Sequence, residues 1–216
     1  MGSLLKASST IGRKLVMGIT GLGLVVFVVF HLLENLQLYA GGARFNGYVA
    51  WLHSFGPWLT VAEIGLALLI LIHAILAIWV SKSNYAARGP VRYSVWKSKG
   101  DPSHASLSSR HMIVTGVVLL AFLVLHIWQF RFGPGNDLYR LVADTFHNSL
   151  FVGIYVAVML FLGLHLRHGF WSAFQSLGAM NPRFSRPVYF LGLVIGIVVA
   201  AGFLAIPLWF YFGGAA

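Results

Sequence analysis

The sequence predicts an all-α membrane protein: five transmembrane helices in a bundle, with the N-terminus cytoplasmic and the C-terminus outside. Three observations lead there. The chain of 216 residues is 58% hydrophobic and only 9% charged, a balance outside that of ordinary soluble domains. It holds five apolar stretches, near 15–38, 58–81, 111–132, 148–174 and 187–212, and about 20 helical residues suffice to cross a hydrocarbon layer of roughly 30 Å. Finally, 12 of the 15 Lys and Arg fall at the N-terminus, in the second and fourth loops or, for Arg167, in the inner part of the fourth stretch, including Arg13, Lys14, Lys82, Arg88, Arg92, Lys97, Lys99, Arg110, Arg183 and Arg186. Arg44, Arg131 and Arg140 lie on the other side, and the positive-inside rule sets the orientation. Residues 1–216 are expected to form one transmembrane domain in the prokaryotic cytoplasmic (inner) membrane.

Each element has its own justification. Unpaired backbone groups are costly in lipid, so apolar runs of this length must be helices. The first follows Arg13 and Lys14 and continues from Leu15 to Leu38, longer than the apolar region of a secretory signal. The segment after it carries Phe45, Tyr48, Trp51, Phe55 and Trp58, which suit an interfacial piece at headgroup depth. Ser81 to Arg110 reads as a long hydrophilic loop with turns at Gly89-Pro90 and Asp101-Pro102. The 24 glycines point to close helix packing or to room for something large. Zero cysteine excludes disulfides and thiolate-held clusters, leaving His, Met or carboxylate as metal ligands. The net charge of +10 sits in short loops between spans, so no nucleic acid partner is expected.

The histidines carry the chemistry. His31, His73, His126 and His165 occupy the first four spans, one each, and a histidine inside lipid needs a partner. His31 lies 17 residues from Lys14 and His126 lies 16 from Arg110, both ~25 Å from the cytoplasmic end at ~1.5 Å per residue. His73 lies nine residues before Lys82 and His165 ten before Gln175, both at ~14 Å. Four unrelated interhelical hydrogen bonds would not sort into two levels. Imidazoles from facing helices are axial ligands for low-spin haem iron, so two stacked haems are expected. Gly21, Gly23, Gly65, Gly116 and Gly153 stand near the heights where a porphyrin edge needs clearance.

At these residues the chain resembles the cytochrome b subunit of succinate dehydrogenase and fumarate reductase, in its single-chain, two-haem form. The matching segments are RKLVMGITGLGLVVFVVFHLLENLQLY with FNGYVAWLH, then EIGLALLILIHAILA, SSRHMIVTGVVLLAFLVLHIWQF and GLHLRHGFWSAFQSLG, together most of residues 13–178. Glu34 departs from the pattern, which commonly has glycine there. The resemblance implies a five-helix dihaem cytochrome b domain with two haem b groups, the outer between His31 and His126 and the inner between His73 and His165. It implies the membrane anchor of respiratory complex II, with a flavoprotein subunit and an iron–sulfur subunit on the cytoplasmic face. Quinone is the implied substrate, menaquinone the expected species, and assembly into a higher oligomer is left open.

Other residues complete the expectations. His168 with Arg167 on the inner side, and Arg131 or Arg140 outside, have the charge to meet haem propionates. Glu63, five residues into the second span, is expensive there unless it faces a cavity or partner. With Glu34, Gln37 and His53 it outlines a quinone pocket at the outer level, against which stands simple snorkelling to the interface. His104, His111 and His147 read as loop or capping residues. The rival readings are a dihaem anchor of another membrane dehydrogenase, and a transporter or proton channel with a His and Glu relay.

Overall fold

The computed structural model describes residues 10–87, 111–135 and 137–214. Among them every regular element is helical: α1 (Thr10–Asn35), a 3-10 turn (Leu36–Ala40), α2 (Gly42–His53), α3 (Pro57–Ala87), α4 (Met112–Phe130), α5 (Leu138–His147), α6 (Ser149–Ser176) and α7 (Pro182–Tyr211). Five are long and apolar enough to span a membrane: α1 with its 3-10 turn, α3, α4, α6 and α7. The expected loop residues Arg88, Arg92, Lys97, Lys99, His104 and Arg110 lie outside the described residues.

The helix ends follow local chemistry. Gly41, with φ 92°, ends the 3-10 turn in a conformation that costs a side chain dearly. Pro57 opens α3 after Gly56, the position where a missing amide hydrogen does no harm. The side chains of Asp137, Asn148 and Asn181 accept from the first free amides of α5, α6 and α7.

Three boundaries differ from the sequence reading. The hydrophilic loop does not begin at Ser81, because α3 continues to Ala87 and the Ser83 hydroxyl returns to the Trp79 carbonyl. Arg183 and Arg186 belong to the opening turns of α7 rather than to a loop, since Asn181 and Pro182 start that helix before its apolar part. Helix α5 was not expected at all. It buries Val142, Ala143 and Phe146 in a cluster with Leu38, Phe45, Tyr155, Ile206 and Phe210, and Asn46 of α2 holds its cap by donating to Asp137 at 2.7 Å and accepting from the Tyr139 amide.

The most extensive helix contact is α6 on α7, with α1 packed on α3 and α6, and α4 on α6. Small residues make the closest approach possible. A Cβ built on Gly196 would lie 2.7 Å from the Gly163 carbonyl oxygen, and one on Gly163 would lie 2.9 Å from Ala200. Gly196→Val is therefore expected to destabilise the fold by about 1–3 kcal/mol through overpacking. Thermal unfolding in detergent checks this, with Gly65→Ala, which meets nothing within 4 Å, as the tolerated control.

Two levels of paired histidines

Four helices bring four histidines into two pairs. The ring centroids of His31 (α1) and His126 (α4) are 5.9 Å apart, and those of His73 (α3) and His165 (α6) are 6.5 Å apart. Imidazoles held trans on one metal, by bonds of roughly 2.0–2.1 Å each, would have centroids about 6–6.5 Å apart. An edge-to-face aromatic contact has a similar spacing, so the ring nitrogens have to discriminate.

In the His73–His165 pair, each Nδ1 meets a threonine hydroxyl. Thr20 of α1 lies 3.2 Å from His73 Nδ1, and Thr115 of α4 lies 3.0 Å from His165 Nδ1. Each hydroxyl has one proton, and it is directed at its own helix: to the Val16 and Met17 carbonyls from Thr20, and to the Met112 carbonyl from Thr115. Toward the imidazole each oxygen therefore accepts, which puts the proton on Nδ1 and leaves the Nε2 lone pair for a metal. Both threonines are buried, Thr20 6% and Thr115 1% exposed.

His126 obeys the same rule. Its Nδ1 lies 3.3 Å from the Tyr155 hydroxyl, which donates to Gln129 Oε1 at 2.7 Å. His31 differs: Glu34 Oε2 stands 3.9 Å from its Nδ1, and the Asn35 amide, 3.4 Å away, donates at 2.8 Å to the His31 carbonyl. Phe27 stacks on His31 at 5.4 Å and Phe203 tilts against it at 5.7 Å.

The contacts also measure the separation of the levels. Thr20 and His31 are eleven residues apart on α1, and Thr115 and His126 eleven apart on α4, or ~17 Å along each helix. Counting from basic residues at the span ends gave a smaller separation. The ends do not share a height: α1 begins ten residues before Thr20, and α4 three before Thr115.

Glycines and orphaned donors fit a large group. A Cβ on Gly21 would lie 3.2 Å from His73 Cε1, and one on Gly116 would lie 3.5 Å from His165 Cε1. Gly23 instead faces Leu69, while Gly65 and Gly153 face open space. Arg13 Nε and Trp171 Nε1 are buried without an acceptor among the described residues, and a carboxylate-bearing macrocycle would supply one. Trp171 lies 6.1 Å from the half-buried His168 ring. Arg167 points to α7, where it donates to the Tyr189 hydroxyl. No group of three or more His, Asp or Glu stands together among the described residues. A two-histidine set suits a group that brings its own equatorial ligands, not a bare ion.

The outer candidates divide among partners. Arg131 donates to both oxygens of Glu63, at 2.9 and 3.2 Å, tying α3 to α4. That contact, and Glu63's charge, hold the Arg131 guanidinium above its ordinary range. Glu34 faces His31 and the Tyr48 hydroxyl of α2. Gln37 is half-buried in the 3-10 turn, and His53 is exposed at the end of α2. No hydrogen bond or ion pair joins any two of Glu34, Gln37, His53 and Glu63 among the described residues. His147 is exposed at the end of α5.

Sequence reasoning missed Thr20, Thr115 and Tyr155. A signal existed for the first two: Thr20-Gly21 precedes His31 at the same spacing by which Thr115-Gly116 precedes His126. The chain matches no family model, no curated protein and no solved structure.

Proposed function

We propose that the chain is the membrane-anchor cytochrome b subunit of a succinate:quinone oxidoreductase, a succinate dehydrogenase or fumarate reductase. His31 with His126, and His73 with His165, each hold a haem b in a five-helix bundle. One observation carries the reading: four spans supply two histidine pairs with centroids 5.9 and 6.5 Å apart, three of the rings set on neutral hydroxyls that free Nε2. When bound, the haems supply one-electron carriers at two depths. The chain's own residues fix the tautomers, clear the rings with glycine and offer donors at Arg13, His168 and Trp171.

An odd number of spans and the Lys and Arg distribution support a cytoplasmic N-terminus with the C-terminus outside. The flavoprotein and iron–sulfur subunits dock on that face, and the lack of cysteine here agrees with thiolate-held clusters lying in a partner. Quinone, menaquinone in this reading, reacts at the outer level near Glu63, His53, Glu34 and Gln37, with Arg131 as the counter-ion of Glu63.

A redox-titrated spectrum of the purified complex tests this. Two b-type components and dye-linked succinate oxidation are expected. Absence of b bands would favour a His and Glu relay in a transporter or channel. Bands without succinate oxidation would favour the dihaem anchor of another dehydrogenase.

A further inference from the structure

The two pairs differ in one respect. His73, His165 and His126 each present Nδ1 to a neutral hydroxyl at 3.0–3.3 Å, whereas His31 Nδ1 has the Asn35 amide at 3.4 Å and, beyond it, the Glu34 carboxylate at 3.9 Å. Nothing in helix stability asks for a glutamate there. It lies in the last turn of α1, where the helix dipole disfavours an anion, and within a segment apolar enough to span a membrane, where a carboxylate is costly. It nevertheless faces His31, three residues before it, and Tyr48 of α2.

We propose that Glu34 is a positioning residue that lowers the reduction potential of the His31–His126 site. The inference rests on the reading that these histidines hold a haem. Reduction adds one electron and no proton, so the site loses one unit of positive charge. A carboxylate beside the ligand favours the more positive, oxidised state. The hydroxyls at the other three rings exert no such net charge.

The test is a redox titration of the complex, following each haem optically. Glu34→Gln keeps the shape and a group that can face Tyr48, but removes the charge. It is expected to raise the potential of the His31–His126 component so that its reduction equilibrium shifts at least tenfold, ~59 mV for one electron. The His73–His165 component stays in place. Glu34→Asp, which keeps the charge, should restore the wild-type value to within about threefold, an effect that a purely structural role would not produce. Glu34→Ala, the second neutral variant, should move in the same direction as Glu34→Gln. An unmoved potential in either neutral variant, with both haems bound, overturns the assignment. So does loss of the haem in both, which would make Glu34 structural. A wild-type complex without b bands would instead remove the reading beneath it.

Discussion

A His73→Ala variant is expected to lose one of two b-type components and keep the other, and His31→Ala the reverse. The His73 ring is held by Thr20 and backed by Gly21, features that have no part in the His31–His126 pair. The pairs stand ~17 Å apart along α1 and α4, beyond the range at which two substitutions ordinarily couple. On the proposed dihaem reading, each variant would remove one of the two imidazoles that would hold the iron of its site. About half the low-spin haem signal should go, with the remaining component unchanged in band position and potential. Either single variant, folded and still carrying two unaltered low-spin haems, would show that its histidine is not a ligand. The double variant should carry neither component.

The long spans were legible because lipid imposes a simple length and polarity requirement, and TM-length helices occur in the five expected places. Their ends were not, because hydropathy is blind to capping. Asn181 and Pro182 start α7 ahead of its apolar run, and Ser83 lies in a helix that continues past the apolar part of α3. Helix α5 was missed for a related reason: Leu138, Val142 and Phe146 make a short amphipathic face that is faint beside the neighbouring spans. The four intramembrane histidines stood out by type alone. The hydroxyls around them did not, since threonine in an apolar helix usually bonds its own backbone, and Thr20 and Thr115 do that while also meeting a histidine from another helix. Glu63 and Arg131 are far apart in sequence and drew separate roles; only the packing of α3 beside α4 makes them partners.

On the proposed haem reading, Thr115→Val should weaken haem binding at the His73–His165 site by 10–100-fold, the usual cost of removing a partner that orients a metal-ligating histidine. Valine fills nearly the same volume at a position only 1% exposed, so the substitution deletes an acceptor without opening a cavity. His165 then loses the oxygen 3.0 Å from Nδ1, and nothing on α4 selects the tautomer that leaves Nε2 unprotonated. The predicted phenotype is partial occupancy of one component, restored by Thr115→Ser, with the His31–His126 component at full strength. Thr20→Val should do the same through His73, and because both act on one site their combined effect should be less than the product of the two losses. Haem content per polypeptide, titrated with added haemin, measures all three variants. Full occupancy of both components in Thr115→Val and Thr20→Val alike would mean that the hydroxyls only cap their own helices, and that some other group orients the two rings.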